Sequence, residues 1–225
     1  MKVIILAAGI GSRLGKPYPK PLTQLVNGKT IMANQIEALL KYVDLHDIFI
    51  VVGFKKELIM EAFPDITFVY NNYFDTTNTS KSLLRGVQKI KNEDVLWLNG
   101  DVVFDHVILK RVIDANYSCM AVNNAAVGEE EVKYETESTG LITKVSKEVK
   151  HPEGEAVGIN KILAKDMEVF KQKLMACKDN DYFEKAIELA IEDGLQIVPV
   201  NVSDVHCTEV DFEEDLKRAN EQLRV

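Results

Sequence analysis

Continuous apolar runs at 3–6, 48–52, 66–70 and 95–98 alternate along the chain with stretches at 30–42, 55–63, 82–90 and 106–115 whose apolar residues recur at helical spacing. Short runs without polar interruptions suit parallel strands covered on both faces. Strand and helix taking turns in this way predict a parallel sheet with helices on both faces. The rhythm changes over 118–163. Short Val-, Thr- and Ile-rich segments there are separated by turn signals at Val127-Gly128, Ser138-Thr139-Gly140 and Pro152-Glu153-Gly154. An antiparallel excursion is expected. Helices return over 164–176 and 181–193, followed by a strand at 196–200, a short strand at 208–211 and a helix at 212–223. No repeat, linker or step in composition divides the chain. The pattern predicts an α/β fold with a doubly wound, mostly parallel sheet, in one domain over 1–225 with a β-rich insertion at 118–163.

Composition narrows what such a fold does. At about 150 residues per domain, 225 residues favour one large domain or one carrying an insertion. The net charge of −8, from 27 basic and 35 acidic residues, argues against nucleic acid or a membrane surface as partner, since both need a basic footprint. It leaves room for anionic ligands held by a local basic cluster. Cys119, Cys177 and Cys207 are widely spaced and odd in number, so reduced thiols in a cytoplasmic protein are expected. No apolar run approaches the 18 or so residues of a membrane span. Lys2 followed by the apolar run at 3–8 resembles a short signal peptide but reads better as a buried strand leading into a Gly-rich turn.

That turn is the richest segment: Leu6-Ala7-Ala8-Gly9-Ile10-Gly11-Ser12-Arg13-Leu14-Gly15-Lys16-Pro17-Tyr18-Pro19-Lys20-Pro21-Leu22. It begins at the carboxyl end of the first strand, where open α/β sheets bind ligands. Small residues let backbone N–H groups approach phosphate oxygens, and Arg13, Lys16 and Lys20 make a local anion trap. Two familiar nucleotide motifs fail. A Rossmann fingerprint would need Gly at Leu14, and Pro17, Pro19 and Pro21 block the helix that should follow. A Walker A motif would need Gly at Ile10 and Ser or Thr at Pro17.

The segment resembles the signature of the sugar-phosphate nucleotidyltransferases, L-A-A-G-x-G-[ST]-R-L, a gap, then P-K-P-L, matched at 6–14 and 19–22 with a shorter gap than usual. The resemblance implies a glycosyltransferase-A-like fold. It implies nucleotide binding by Leu6, Ala7, Ala8, Gly9, Gly11, Ser12 and Arg13, with Arg13 and Lys20 in catalytic roles. It also implies Mg²⁺, held by hard carboxylate oxygens. Asp101, after the 95–98 strand, is similar to the family's Asp following the central strand, and Gly100 precedes it. Residues 209–216 resemble its C-terminal [ED]-[IV]-D-x-x-x-D-L element, which makes Asp211 the second ligand. Period-2 alternation puts Glu209 on the same face as Asp211; the resemblance carries Glu209 into the metal set, with a solvated strand-edge glutamate as the other reading. Asp105 suits a helix cap better, and His206 with Cys207 lacks the spacing of a transition-metal site.

The chain is shorter than many members of that family, which points to its cytidylyltransferase branch. Residues 71–83 resemble the N-x-x-Y-x-x-x-N-x-x-x-S-L element of phosphocholine-type cytidylyltransferases, with Asn71, Asn78, Ser82 and Leu83 in register. Asn78, Thr79, Ser80, Ser82 and, by topology, Gly53 are therefore candidates for reading the nucleotide, with Thr79 or Ser80 as a simple cap of the following helix the alternative. Lys147, Glu155 and Gly158 resemble acceptor-side residues of the inserted sheet, joined by Lys20 and Tyr182, while Lys147 reads equally well as a solvated lysine in a hairpin. The expected reaction is CMP transfer from CTP to a small phosphorylated metabolite such as phosphoglutamine or phosphocholine, for surface polysaccharide or lipid modification. A sugar-1-phosphate nucleotidyltransferase using UTP, dTTP or GTP is the alternative. Monomer and homodimer remain open.

Overall fold

The computed structural model describes residues 1–124, 127 and 131–224. Eleven strands are found among them: β1 (Lys2–Ala7), β2 (Ile48–Val52), β3 (Thr67–Tyr70), β4 (Val95–Asn99), β5 (Val102–Phe104), β6 (Cys119–Asn123), β7 (Lys133–Thr136), β8 (Ile142–Ser146), β9 (Gly154–Ile162), β10 (Val198–Asn201) and β11 (Cys207–Glu209). The helices are α1 (Ile31–Leu39), α2 (Lys56–Ala62), α3 (Thr79–Val87), α4 (Val107–Asp114), α5 (Met167–Ala176), α6 (Phe183–Glu192) and α7 (Glu213–Gln222).

The main sheet runs β10-β6-β9-β4-β1-β2-β3, with the β7–β8 hairpin attached to β9. β1 pairs parallel with β2 and β4, and β2 parallel with β3. The chain therefore moves outward in one direction from β1 and then returns to its other side at β4. The carboxyl ends of β1 and β4 frame this topological switch point, where α/β sheets leave a crevice. The alternating strand faces bury two cores. Ile4, Leu6, Val51 and Trp97 pack under α3, α5 and α6. Val3, Ile5, Ile50 and Leu98 pack under α1, α2 and α4. Trp97 stacks on Phe170 at 5.3 Å and meets Phe183 edge-on at 5.6 Å, which fixes the start of α6 against the sheet.

Three features differ from the sequence pattern. The 118–163 excursion lies largely in the main sheet: β9 runs antiparallel between β4 and β6, and β10 pairs parallel with β6. Among the described residues the β7–β8 hairpin stands beyond it, turning at 138–140 with Gly140 at φ +80°. The helix expected from 82 begins at Thr79, because Asn78 is extended and its side-chain oxygen accepts the Thr79 N–H at 2.8 Å. β5, hidden between a turn and a helix in the sequence, pairs antiparallel with β11. The turn expected at Val127-Gly128 and the side chain of Ser12 lie outside the described residues.

Candidate active site

The first turn folds as its residues dictate. Gly11 and Gly15 both adopt φ +64°, a left-handed conformation costly for other residues. The prolines that follow break any helix, so the chain crosses the switch point in two short 3₁₀ turns, Ser12–Leu14 and Lys20–Leu22. Lys20 returns beneath Gly11, where an added Cβ would stand 3.1 Å from the lysine Cβ. Gly100 follows β4 and donates its N–H to the Leu6 carbonyl at 2.9 Å. A side chain at Gly100 would meet that carbonyl oxygen at 2.7 Å. Asp101 is thereby held against the end of β1.

The β5–β11 ladder does the rest. Val102 pairs with Glu209, and the Val210 N–H donates to the Asp101 carbonyl at 3.0 Å. Residues a hundred or so apart in sequence thus become neighbours, and Asp211 arrives opposite Asp101. Asp215, on the first turn of α7, accepts the N–H groups of Asp211 at 3.1 Å and Phe212 at 2.8 Å and fixes that backbone.

Lys20 Nζ donates to Asp101 Oδ2 at 2.8 Å and to Asp211 Oδ1 at 2.5 Å. Arg13 Nη1 donates to Asp211 Oδ2 at 3.1 Å, and Lys16 pairs with Glu213 at 2.7 Å. The guanidinium of Arg13 also lies over the Phe212 ring, 5.9 Å from its centroid. Burial opposes the charge on Lys20, but Asp101 and Asp211 overcome it and raise its pKa. Burial likewise opposes ionisation of Asp211, and Lys20 with Arg13 outweighs it, so its pKa is lowered. Glu209 opens onto the cleft yet is surrounded by protein. Those low-dielectric surroundings, then the neighbouring Asp101 and Asp211, hold its pKa well above the carboxylate range.

Asp101, Glu209 and Asp211 offer ligand oxygens that all lie within 4.8 Å of one another. Three hard oxygen donors at that spacing fit a divalent cation of the Mg²⁺ type. The Lys20 ammonium already sits between two of them, which shows that the pair draws positive charge.

These groups line one cleft of about 840 Å³. Of the residues singled out in the sequence, Leu6, Ala7, Ala8, Gly9, Gly11, Arg13, Lys20, Asn78, Thr79, Ser82, Gly100, Asp101, Lys147, Glu155, Gly158, Tyr182, Glu209 and Asp211 face it. Gly53 and Ser80 do not. Gly53 is a packing position, where a Cβ would lie 2.5 Å from both the Ala8 carbonyl oxygen and Phe74 Cβ. Ser80 is fully buried and turned into the protein from α3.

Beyond β9 the cleft becomes acidic. Glu131, Glu155 and Glu184 contribute to its wall, with Phe74 and Tyr182 as aromatic surface. Burial, followed by neighbouring carboxylates, pushes Glu131 and Glu155 up. Burial pushes Glu184 up to about 7. Lys147 Nζ lies 5.7 Å from the Tyr182 ring centroid. Glu131, Asp215 and Arg218 were not expected from the sequence as part of this wall. Arg218, three residues beyond Asp215, bonds it at 2.6 Å, and that helical spacing was the one signal for it.

A glycine-rich turn, a buried lysine and a carboxylate cluster at the switch point of a parallel sheet define a phosphate-handling α/β protein. The chain belongs to the MobA-like NTP transferase domain family, whose pattern matches residues 3–169. It is 37% identical over 124 residues to CMP-5'-(3-aminopropyl)phosphonate synthase of Streptomyces rubellomurinus, covering 51% of this chain and 19% of that protein. It is 33% identical over 156 residues to the bifunctional protein GlmU of Methanococcus maripaludis, covering 66% of this chain and 36% of that one. The chain therefore spans only a fifth to about a third of these relatives' lengths. In fold it is similar to the inositol-1-phosphate CTP transferase of T. maritima, with TM-score 0.83, 17% identity, and 99% and 94% of the two chains covered. The CTP:phosphocholine cytidylyltransferase of Streptococcus pneumoniae gives TM-score 0.80 and 21% identity, with 99% and 98% covered. Among the described residues no helix is long and apolar enough to cross a membrane.

Proposed function

We propose that the protein transfers CMP from CTP to a small acceptor carrying a phosphate or phosphonate, forming a CDP-type linkage or its phosphonate equivalent and releasing pyrophosphate. The observation that carries this reading is the convergence of Lys20, Asp101 and Asp211 beneath the first turn, with N–O distances of 2.8 and 2.5 Å. An acceptor oxygen attacks the α-phosphorus in line as the bond from that phosphorus to the β-phosphate oxygen breaks. The acceptor oxygen is already anionic, so no protein base is required, and catalysis rests on positioning and charge neutralisation. The backbone of the first turn, from Ala8 to Gly11, receives the triphosphate. Arg13 leaves Asp211 to grip the departing phosphates, and Lys20 spans the α-phosphate and the incoming acceptor. Asp101, Asp211 and Glu209 would hold a divalent cation such as Mg²⁺, which supplies charge screening between the two anions.

Asn78, which caps α3, and Thr79 and Ser82, on its first turn, line the cleft and would face the base. Two similarities support cytosine: the CMP-linked product named for the Streptomyces relative and the two CTP enzymes with the same fold. On the acceptor side, the acidic wall of Glu131, Glu155 and Glu184 favours a molecule bearing a cationic amine besides its phosphorus group. The three free thiols suit a cytoplasmic setting. A pyrophosphate-release screen tests the reading by crossing the four common NTPs with amine-bearing phosphates, amine-bearing phosphonates and sugar 1-phosphates. CTP with an amine-bearing acceptor should be the productive pair. Release only with UTP and a sugar 1-phosphate would favour the sugar-1-phosphate nucleotidyltransferase alternative.

A further inference from the structure

Gln35 lies on α1, whose other inward residues, Met32, Ile36 and Leu39, are apolar. It is 2% exposed, so its amide donors need partners inside the protein. Both donors are used in one place. Nε2 donates to the Asn99 carbonyl at 2.9 Å and to the Val102 carbonyl at 2.8 Å. Turning the amide over would set its oxygen against two carbonyl oxygens, so chemistry fixes which end is nitrogen. Oε1 has no partner among the described residues. The position is built around the two donated bonds.

Between those two carbonyls lie Gly100 and Asp101. Gln35 therefore staples the turn from β4 to β5 from the α1 side, while Leu6 of β1 and Val210, just past β11, hold it through backbone bonds to Gly100 and Asp101. α1 is also tied to the other half of the cluster. The Ile31 N–H donates to the Thr23 carbonyl at 3.0 Å, and the Thr23 N–H to the Lys20 carbonyl at 2.9 Å. One helix thus sets the separation of the Lys20 and Asp101 backbones, across which their side chains meet at 2.8 Å.

We propose that Gln35 is a positioning residue: through the carbonyls of Asn99 and Val102 it holds the Asp101 carboxylate where the cluster can take up a divalent cation. This rests on the metal-binding reading given under the proposed function, and the test separates the two. Mn²⁺ binding to the full chain, without nucleotide, is measured by electron paramagnetic resonance of the free ion for Gln35→Met, Asp101→Asn and the double variant. Gln35→Met is expected to weaken Mn²⁺ binding by about tenfold or more, the usual effect of removing a group that orients a ligand. Added to Asp101→Asn, it should change affinity by less than about twofold, because the residue it acts through no longer offers a carboxylate. Wild-type Mn²⁺ affinity in Gln35→Met, alongside a loss in Asp101→Asn, would overturn the role of Gln35 alone. Equal losses from Gln35→Met in both backgrounds would make it a general packing residue and also overturn the proposal. No effect of Asp101→Asn would overturn the metal reading itself. If Gln35→Met does not fold, Gln35→Asn, too short to reach both carbonyls, takes its place with the same expectations.

Discussion

Lys20 and Asp211, 191 positions apart, share a 2.5 Å hydrogen bond at the floor of the cleft. The same ammonium reaches Asp101 at 2.8 Å, so a single buried cation serves two carboxylates. With Arg13 also bonded to Asp211, two cations balance the two carboxylates. A triphosphate entering the first turn competes for Lys20 and Arg13 and frees the carboxylates as it does so. Nucleotide and divalent cation should accordingly favour each other's binding.

Removing the Lys20 charge should be costly in two separate ways. Lys20→Met is expected to lower turnover by about a hundredfold or more, the scale of losing one transition-state donor. Lys20→Arg should recover part of that loss, since charge is kept while geometry shifts. Lys20→Met also leaves Asp101, Glu209 and Asp211 facing each other without their internal cation. Its melting temperature should therefore rise more on adding Mg²⁺ than that of the wild type. Equal Mg²⁺ responses would remove Lys20 from the cluster's charge balance.

Arg13 differs from Lys20 in exposure and geometry. Its side chain is 45% exposed at the cleft, bonded to Asp211 and laid over Phe212. A lysine there cannot reproduce the planar fork. Arg13→Lys should lower turnover about tenfold, equivalent to about 1.4 kcal/mol. Near-normal kinetics in that variant would contradict a phosphate-gripping role.

Asp101→Asn and Asp211→Asn should each abolish turnover while the fold persists by circular dichroism. EDTA should silence the wild type, with recovery on adding Mg²⁺. Full turnover in EDTA-treated enzyme would contradict the carboxylate assignment.

The strand-and-helix order was legible in the sequence because it depends on local spacing, whereas the Gly-rich turn, Asp101 and Asp211 stood out through their resemblance to family motifs. Residues 3–6 and 95–98 read as strands from their apolar runs alone, and β1 and β4 contain them. The wall from Glu131 to Glu184 was harder to read. Its residues come from three distant segments, brought together by β9 lying antiparallel inside the main sheet, and no periodicity in 118–163 signals which sheet a strand will join. Gly53 looked like a nucleotide contact from its place at the end of β2, yet only the fold reveals Phe74 packed against it. Gln35 was invisible for a similar reason: a polar residue on a helix reads as surface until its partners are known.

Glu184 gives a pH signature. Its pKa is raised by burial from 4.5 to about 7 in the folded protein, with a backbone hydrogen bond and then Lys147 only partly offsetting that effect. Between those values the unfolded chain has released the proton and the folded one retains it, so stability falls as pH rises across that window. The wild-type melting temperature should thus decline from pH 5 to pH 7.5 more steeply than that of Glu184→Gln, when each is corrected for the other titrating groups by the same buffer series. Parallel curves would show that Glu184 ionises in the folded protein as it does in water.

The most direct test of CMP transfer is to follow the phosphorus atoms of CTP. With radiolabel at the α-phosphorus and an amine-bearing phosphate or phosphonate as acceptor, label should pass into a new acceptor-linked product. With label in the β- and γ-phosphates, it should appear as pyrophosphate, in equal amount and only when acceptor is present. Label recovered as free CMP without an acceptor-linked product, or pyrophosphate released at the same rate with no acceptor, would contradict the transfer reaction.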